Sequence, residues 1–266
     1  MTPRIASLVP SLTELLFELG LGPWLVARTG FCIHPSDAVA ALPKVGGTKD
    51  VNLAKLRSLA PTHVLVNVDE NRRDTVEAIR SWTAADDEPP APQVIVTHPL
   101  APDDNLALVD QLLVQFGALD GVGERAERLR AALRSELEQT RPDGRAPQRV
   151  LYLIWRGPWM TVARDTYISR MLARVNWHTM PELDGGESGA ARYPAVRGDE
   201  EWLARVDQVL LSSEPYAFGA VHLDEAKALC PNAQVRLVDG EMLSWYGARA
   251  VPGLRYLRQI AETARK

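Results

Sequence analysis

The sequence predicts an α/β protein of two lobes, each a mainly parallel sheet flanked by helices, joined by one long backbone helix. Three observations predict it. Short β-rich runs alternate with amphipathic segments over residues 5–96, the pattern of a parallel sheet covered on both faces. The alternation restarts at Val150. Between the two stretches stands a single charged amphipathic segment, 124–141. The expected divisions are an N-terminal lobe over 1–120, a linking helix over 121–145 and a C-terminal lobe over 146–266.

Each element has its own signal. Ile5 to Val9 reads as a buried strand. Ser11-Leu12-Thr13-Glu14 spells a capping box, in which the Ser11 hydroxyl and the Glu14 carboxylate satisfy backbone N–H groups reciprocally. Leu12, Leu15, Leu16 and Leu19 form a helical stripe that Gly20 and Gly22 end. Trp24 to Ala27 is the next strand. Asn52 opens a helix with Leu53, Leu56 and Leu59 apolar and Pro61 just beyond it. His63 to Val66 is strand, Thr75 to Trp82 helix, and Gln93 to Val96 strand again after the loop 88–92. Asp103 to Phe116 is helical, and Gly117, Gly121 and Gly123 break the pattern. Glu124 to Arg141 carries Ala126, Leu129, Leu133 and Leu137 on one side; at about 1.5 Å per residue it runs roughly 27 Å. A loop follows over 142–147. Then come strands Val150 to Trp155 and Trp159 to Ala163, and helices Thr166 to Val175 and Asp199 to Val206. Strand Gln208 to Leu211, helix His222 to Leu229, strand Gln234 to Val238 and a final helix Pro252 to Ala264 complete the chain.

Composition narrows the function. The chain has 266 residues, 46% hydrophobic and 24% charged, as expected of a soluble globular protein with a substantial core. A net charge of −4, with arginines scattered along helix faces, argues against nucleic acid as a partner. No apolar run is long enough to cross a bilayer, so no membrane insertion is expected, and the chain is expected to be a monomer. The first apolar run is stopped by Pro10 and lacks the flanks of a secretory leader. As it stands the chain reads as cytoplasmic, or as periplasmic if a leader has been removed. Cys32 and Cys230 belong to no metal-binding spacing and are expected to be free and buried.

No signal for catalysis stands out. G-x-S-x-G, G-x-x-x-x-G-K-[ST], G-x-G-x-x-G and H-E-x-x-H are all missing, and the five histidines have no ligand spacing. Aromatic residues in the later loops do stand out. Trp155 and Trp159 bracket Arg156-Gly157-Pro158. Tyr193 precedes Pro194, Tyr216 and Phe218 follow Glu214-Pro215, and Trp245 and Tyr246 stand in the run 239–249. Ligands of open α/β sheets bind beyond the carboxyl ends of strands, and rigid rings with a few polar groups suit a flat organic guest. Glu241 and Arg249 flank the last two rings and could pair with a charged ligand group or with each other. Trp82, Trp177 and Trp202, on or beside helices, are expected to pack structurally.

In order along the chain, Arg4 to Glu14, Val45-Gly46-Gly47 through Asn52-Leu53, Leu56 to Val66 with its Ala60-Pro61 break, the helix near 124–141 and the strand at 208–214 resemble one known family. These are the cobalamin- and iron-siderophore-binding proteins of ABC importers, the type with a helical backbone between lobes. The resemblance implies a non-enzymatic solute-binding protein that captures a corrinoid or iron complex in an inter-lobe cleft, with no covalent cofactor. Expected ligand-binding residues are Pro10, Ser11, Phe31, His34, Trp155, Trp159, Tyr193, Glu214, Tyr216, Glu241, Trp245, Tyr246 and Arg249. It also implies a carboxylate on each lobe that docks on an ABC permease. Glu200, with Glu201 beside it, takes that place on the second lobe, but the matching first-lobe position is Ala54. Two alternatives stay open. One is a cytoplasmic carrier or sensor that docks on no permease. The other is an enzyme using Glu214, Glu241, Arg249 and His34.

Overall fold

The computed structural model describes residues 2–83, 90–142 and 144–263. Part of the expected loop 88–92, Asp143 of the loop 142–147, and Ala264 at the end of the expected last helix lie outside the described residues. The chain divides into two compact units. The first holds residues up to His98, with Leu106–Ala131 and Tyr246–Ala248. The second holds Pro99–Asn105, Ala132–Trp245 and the chain from Arg249 onward. The boundary thus falls inside the helix expected over 121–145, and a three-residue return near the C-terminus joins the first unit.

The first unit opens with β1 (Ile5–Ser7) and α1 (Pro10–Glu18), followed by β2 (Leu25–Arg28), α2 (Ser36–Ala40), α3 (Leu53–Ser58), β3 (His63–Asn67), α4 (Arg73–Arg80) and β4 (Gln93–Thr97). Its sheet has the order β2-β1-β3-β4, with every pair parallel. β1 is buried along its whole length, as a central parallel strand must be. The capping box at Ser11 does not form. α1 starts two residues earlier than that box would set it, with Pro10 at its first position, where no N–H is needed, and Val9 as an N-cap without a side-chain bond. Ser11 is thereby drawn inside the helix and buried. Asn52 does cap α3, its carbonyl oxygen accepting from Lys55 N at 2.9 Å.

Next come α5 (Asp104–Phe116) and α6 (Val122–Gln139). The expected stripe of α6, Ala126, Leu129, Leu133 and Leu137, is buried. Each such leucine contributes roughly 2 kcal/mol by leaving water.

The second unit contains β5 (Gln148–Leu153), β6 (Trp159–Met160), α7 (Tyr167–Ala173), β7 (Trp177–Thr179), β8 (Ala195–Val196), β9 (Gln208–Ser212), α8 (Leu223–Leu229), β10 (Gln234–Val238), α9 (Gly240–Ser244) and α10 (Ala250–Thr263). Its main sheet, β10-β9-β5-β7, is again wholly parallel, and β6 pairs antiparallel with β8 in a small side sheet. Several expectations change here. The strand expected over 159–163 is only two residues long, because Thr161 and Ala163 bond instead to the loop carbonyls of Pro194 and Arg192. The helix expected over 199–206 is a 3-10 turn, Glu201–Arg205, and the helix expected from His222 starts at Leu223 after another such turn. Trp177 stands on β7, a strand missed from the sequence, and is buried there.

Arg192 is the largest fully buried side chain. It donates to the carbonyl of Gly186 at 2.6 Å, and the Asp165 carboxylate lies 3.6 Å away, so the crossover before β8 is tied down by a paired buried charge. α6 and α10 are clamped by Glu136, only 4% exposed, which meets Arg255 at 2.5 Å and Arg258 at 2.7 Å.

Candidate functional site

Parallel strands deliver their loops to one edge of a sheet, and that edge is where each unit collects its polar and aromatic groups. In the second unit the loops after β5 and β9 bring aromatic rings together. Trp155 meets Tyr216 edge-on at 5.6 Å, Tyr216 meets Phe218 at 4.7 Å, and Trp159 stacks on Phe218 at 5.9 Å with 9° between planes. His222 joins both edge-on, and its Nε2 lies 3.2 Å from the Tyr216 hydroxyl. His222, which the sequence places only at the start of a helix, thus belongs to this cluster. Trp155 is 41% exposed, an unusual position for so large an apolar ring. Arg156 lies 5.7 Å over the Trp159 ring and pairs with Glu225 at 2.5 Å. Tyr193 is half-buried at the end of the turn Ala190–Arg192.

The run 239–249 behaves differently from its expectation. Trp245 and Tyr246 are 8% and 6% exposed, not open rings awaiting a guest. The Asp239 carboxylate caps α9 by accepting from Met242 N. Glu214 Oε1 accepts from Ser244 Oγ and from Trp245 Nε1, each at 2.7 Å. Burial pushes the Glu214 carboxyl above the usual carboxylate range, against the opposing pull of those two donors. Arg249 pairs with Glu241 at 2.7 Å and covers the Trp245 ring at 4.9 Å. Of the two pairings open to Glu241 and Arg249, the structure takes the one with each other. Three of the four residues expected of a catalytic cluster are therefore tied into an ion pair and an indole hydrogen bond. The fourth, His34, belongs to the first unit and lies half-buried.

In the first unit the strand ends carry Phe31, 64% exposed, in the loop after β2. Pro10 is half-buried at the start of α1, and Ser11 is buried. Sequence reasoning missed the groups that accompany them. Asp69 and Glu70 follow β3, and His98 follows β4. His98 Nε2 lies 3.5 Å from Asp69 Oδ2, and Lys49 donates to the Asp69 carbonyl at 2.7 Å. Burial lowers the Lys49 pKa, opposed by the nearby Glu70 and Asp69 charges. The Tyr246 hydroxyl donates to Glu70 at 3.1 Å, with Ser11 and Thr97 beside it. Burial, with the Glu70 charge second, raises the Tyr246 phenol well above its ordinary range. The signal that could have found this group was positional: an ionisable residue one to three places beyond the end of a buried strand. Among the described residues no set of three or more His, Cys, Asp and Glu side chains is arranged to hold a metal ion.

Glu200 does not reach outward as a bare carboxylate. Its two oxygens accept from the backbone N–H groups of Arg197 and Gly198 at 2.9 and 2.8 Å, while Glu201 is exposed beside it and Ala54 is exposed on the first unit.

No family model matches the chain. A vitamin B12-binding protein of Pectobacterium carotovorum subsp. carotovorum (strain PC1) is 21% identical over 241 residues, covering 78% of this chain and 84% of that protein. Among solved structures, the periplasmic vitamin B12 binding protein of Vibrio cholerae superposes with a TM-score of 0.80 at 20% identity, covering 99% of this chain and 98% of that one. The periplasmic haem binding protein of Vibrio cholerae gives 0.75 at 21% identity, with both chains fully covered. The fold is therefore that of the periplasmic vitamin B12- and haem-binding proteins, two parallel-sheet units flanked by helices.

Proposed function

We propose that this chain is a solute-binding protein that captures a small metal chelate, a corrinoid or an iron complex, and hands it to an ABC-type permease. The observation that carries the reading is the full-length likeness to a vitamin B12 binder, 0.80 in TM-score over 99% of the chain. The strand-end edges support it: an exposed Trp155 against Tyr216 in one unit and an exposed Phe31 in the other offer flat apolar surface of the kind a macrocycle covers. Ligand contact in this reading falls to Phe31, His34 and Pro10 in the first unit and to Trp155, Trp159, Tyr193, Tyr216 and Glu214 in the second. Ser11, Glu241, Trp245, Tyr246 and Arg249 shape the walls behind them. Permease docking falls to Glu200 and Glu201, and the periplasm is the matching compartment. The chain catalyses nothing in this reading.

Tryptophan fluorescence tests it. Titration of the full chain with cyanocobalamin, dicyanocobinamide, haemin and ferrichrome gives saturable quenching by at least one of them. Native mass spectrometry of the protein as purified then detects that class of molecule. Four flat titrations would sink the reading.

A further inference from the structure

Glu214 follows β9, and its two carboxylate oxygens have different surroundings. Oε1 accepts from Ser244 Oγ and Trp245 Nε1 at 2.7 Å each, whereas Oε2 meets no hydrogen-bond donor among the described residues. The side chain cannot easily turn away. It packs on Gly240, where a Cβ would come within 2.8 Å of Glu214 Cγ and 3.0 Å of Glu214 N. Among the described residues no cation is paired with it: the Arg249 guanidinium is bonded to Glu241 at 2.7 Å and lies over the Trp245 ring. Asp239, whose charge also bears on Glu214, adds another carboxylate. The cluster thus sets three carboxylates against one guanidinium, with one half-buried acceptor unused. Such an acceptor is not sealed from water and can take a guest's donor in its place, whereas a third-party carboxylate would add repulsion.

We propose that Glu214 Oε2 accepts an N–H of the guest, so that the protein takes amide-bearing corrinoids and turns away carboxylate-bearing tetrapyrroles such as haem. This rests on the solute-binding reading above. A corrin ring carries primary amides at its periphery, whereas haem carries two carboxylates, so one acceptor site separates the two classes by charge as well as by hydrogen bonding. Exclusion of the wrong guest comes from a repulsive element already built into the site.

The test is a fluorescence titration at pH 7.5 with dicyanocobinamide and haemin, on the full chain and on Glu214→Gln. The amide keeps an acceptor for Ser244 and Trp245 but replaces the second oxygen by a donor. The wild-type protein binds dicyanocobinamide at least tenfold more tightly than haemin, and Glu214→Gln weakens dicyanocobinamide by about tenfold, the size of one hydrogen bond to a charged group. The same substitution leaves haemin binding unchanged or strengthens it. Haemin binding as tightly as dicyanocobinamide in the wild type overturns the proposal while leaving the solute-binding reading intact, and it does so whether or not the variant folds. A folded variant, checked by circular dichroism, that keeps the wild-type affinity for dicyanocobinamide overturns it too. If neither compound binds but ferrichrome does, the corrinoid class is wrong; if nothing binds, both readings fall together.

Discussion

Glu214 and Trp245 illustrate how a side chain's role is set by what surrounds it. An exposed carboxylate beside an indole would be an ordinary surface pair. Here the indole is buried, its N–H is bonded to the carboxylate, and a guanidinium covers its face. Trp245→Phe keeps the ring but removes the donor, and is expected to cost about 2 kcal/mol in urea unfolding. The titration of Glu214 has a definite sign. Its folded pKa is raised, so the native state holds the proton more tightly than the unfolded chain. The resulting contribution to stability is full below the unfolded value near 4.5 and is lost as pH rises through the folded value. Glu214→Gln removes that dependence, so urea midpoints of variant and wild type diverge in the variant's favour as pH climbs from about 4.5 toward neutrality. The two thiols are inert for a related reason. Cys32 and Cys230 are free and buried, and burial raises both pKa values, that of Cys230 to about 11. Neither is expected to react with Ellman's reagent until denaturant is added.

At the scale of elements, short segments are held by single contacts that a propensity scale does not see. α9 is five residues long, too short to be stable alone. It persists because Asp239 caps it and because Gly240 lets it approach Ser212 and Glu214. Gly240→Ala forces the Ser212 hydroxyl and Glu214, side chain and backbone nitrogen, to give way, with an expected loss of about 2 kcal/mol and a matching drop in thermal midpoint. α10 depends on a different device. Burial would raise the Glu136 pKa, but hydrogen bonds and charges from Arg255 and Arg258 outweigh it and the pKa is depressed. Its contribution is therefore present above about 4.5 and lost as pH falls through the lower folded value. Glu136→Gln is expected to destabilise by about 3 kcal/mol at pH 7, and by less near pH 3, as measured by urea unfolding at the two pH values.

For the whole molecule, the sharpest prediction couples binding to stability. A guest that binds only the folded chain raises its stability by about 2.7 kcal/mol at a hundred times Kd. Dicyanocobinamide at that excess should raise the thermal midpoint by several degrees, and haemin at the same concentration, bound at least tenfold more weakly, should raise it by about half as much or less. Much of the architecture behind this was legible beforehand. Strand runs at 5–9, 63–66, 93–96, 208–211 and 234–238 and the stripe of α6 all appear within a residue or two, because fully buried parallel strands and amphipathic helices write their environment into local hydrophobicity. β7 and β8 were missed: at three and two residues they carry too little pattern to register.

The site was only partly legible, and the division has one physical cause. Sequence alone determined what depends on neighbours along the chain: two runs of alternating strand and helix, the cap at Asn52, two unpaired cysteines, and the strand ends at which aromatic and acidic residues collect. Tertiary structure decided what depends on partners far apart in the chain. It turned Trp245 inward onto Glu214, 31 positions away, gave Tyr246 to Glu70 across 176, and joined Arg249 to Glu241. It left Trp155 and Phe31 at the surface. Whether a ring faces a guest or fills a wall is settled by burial and by long-range hydrogen bonds, and neither is encoded in any one stretch of residues.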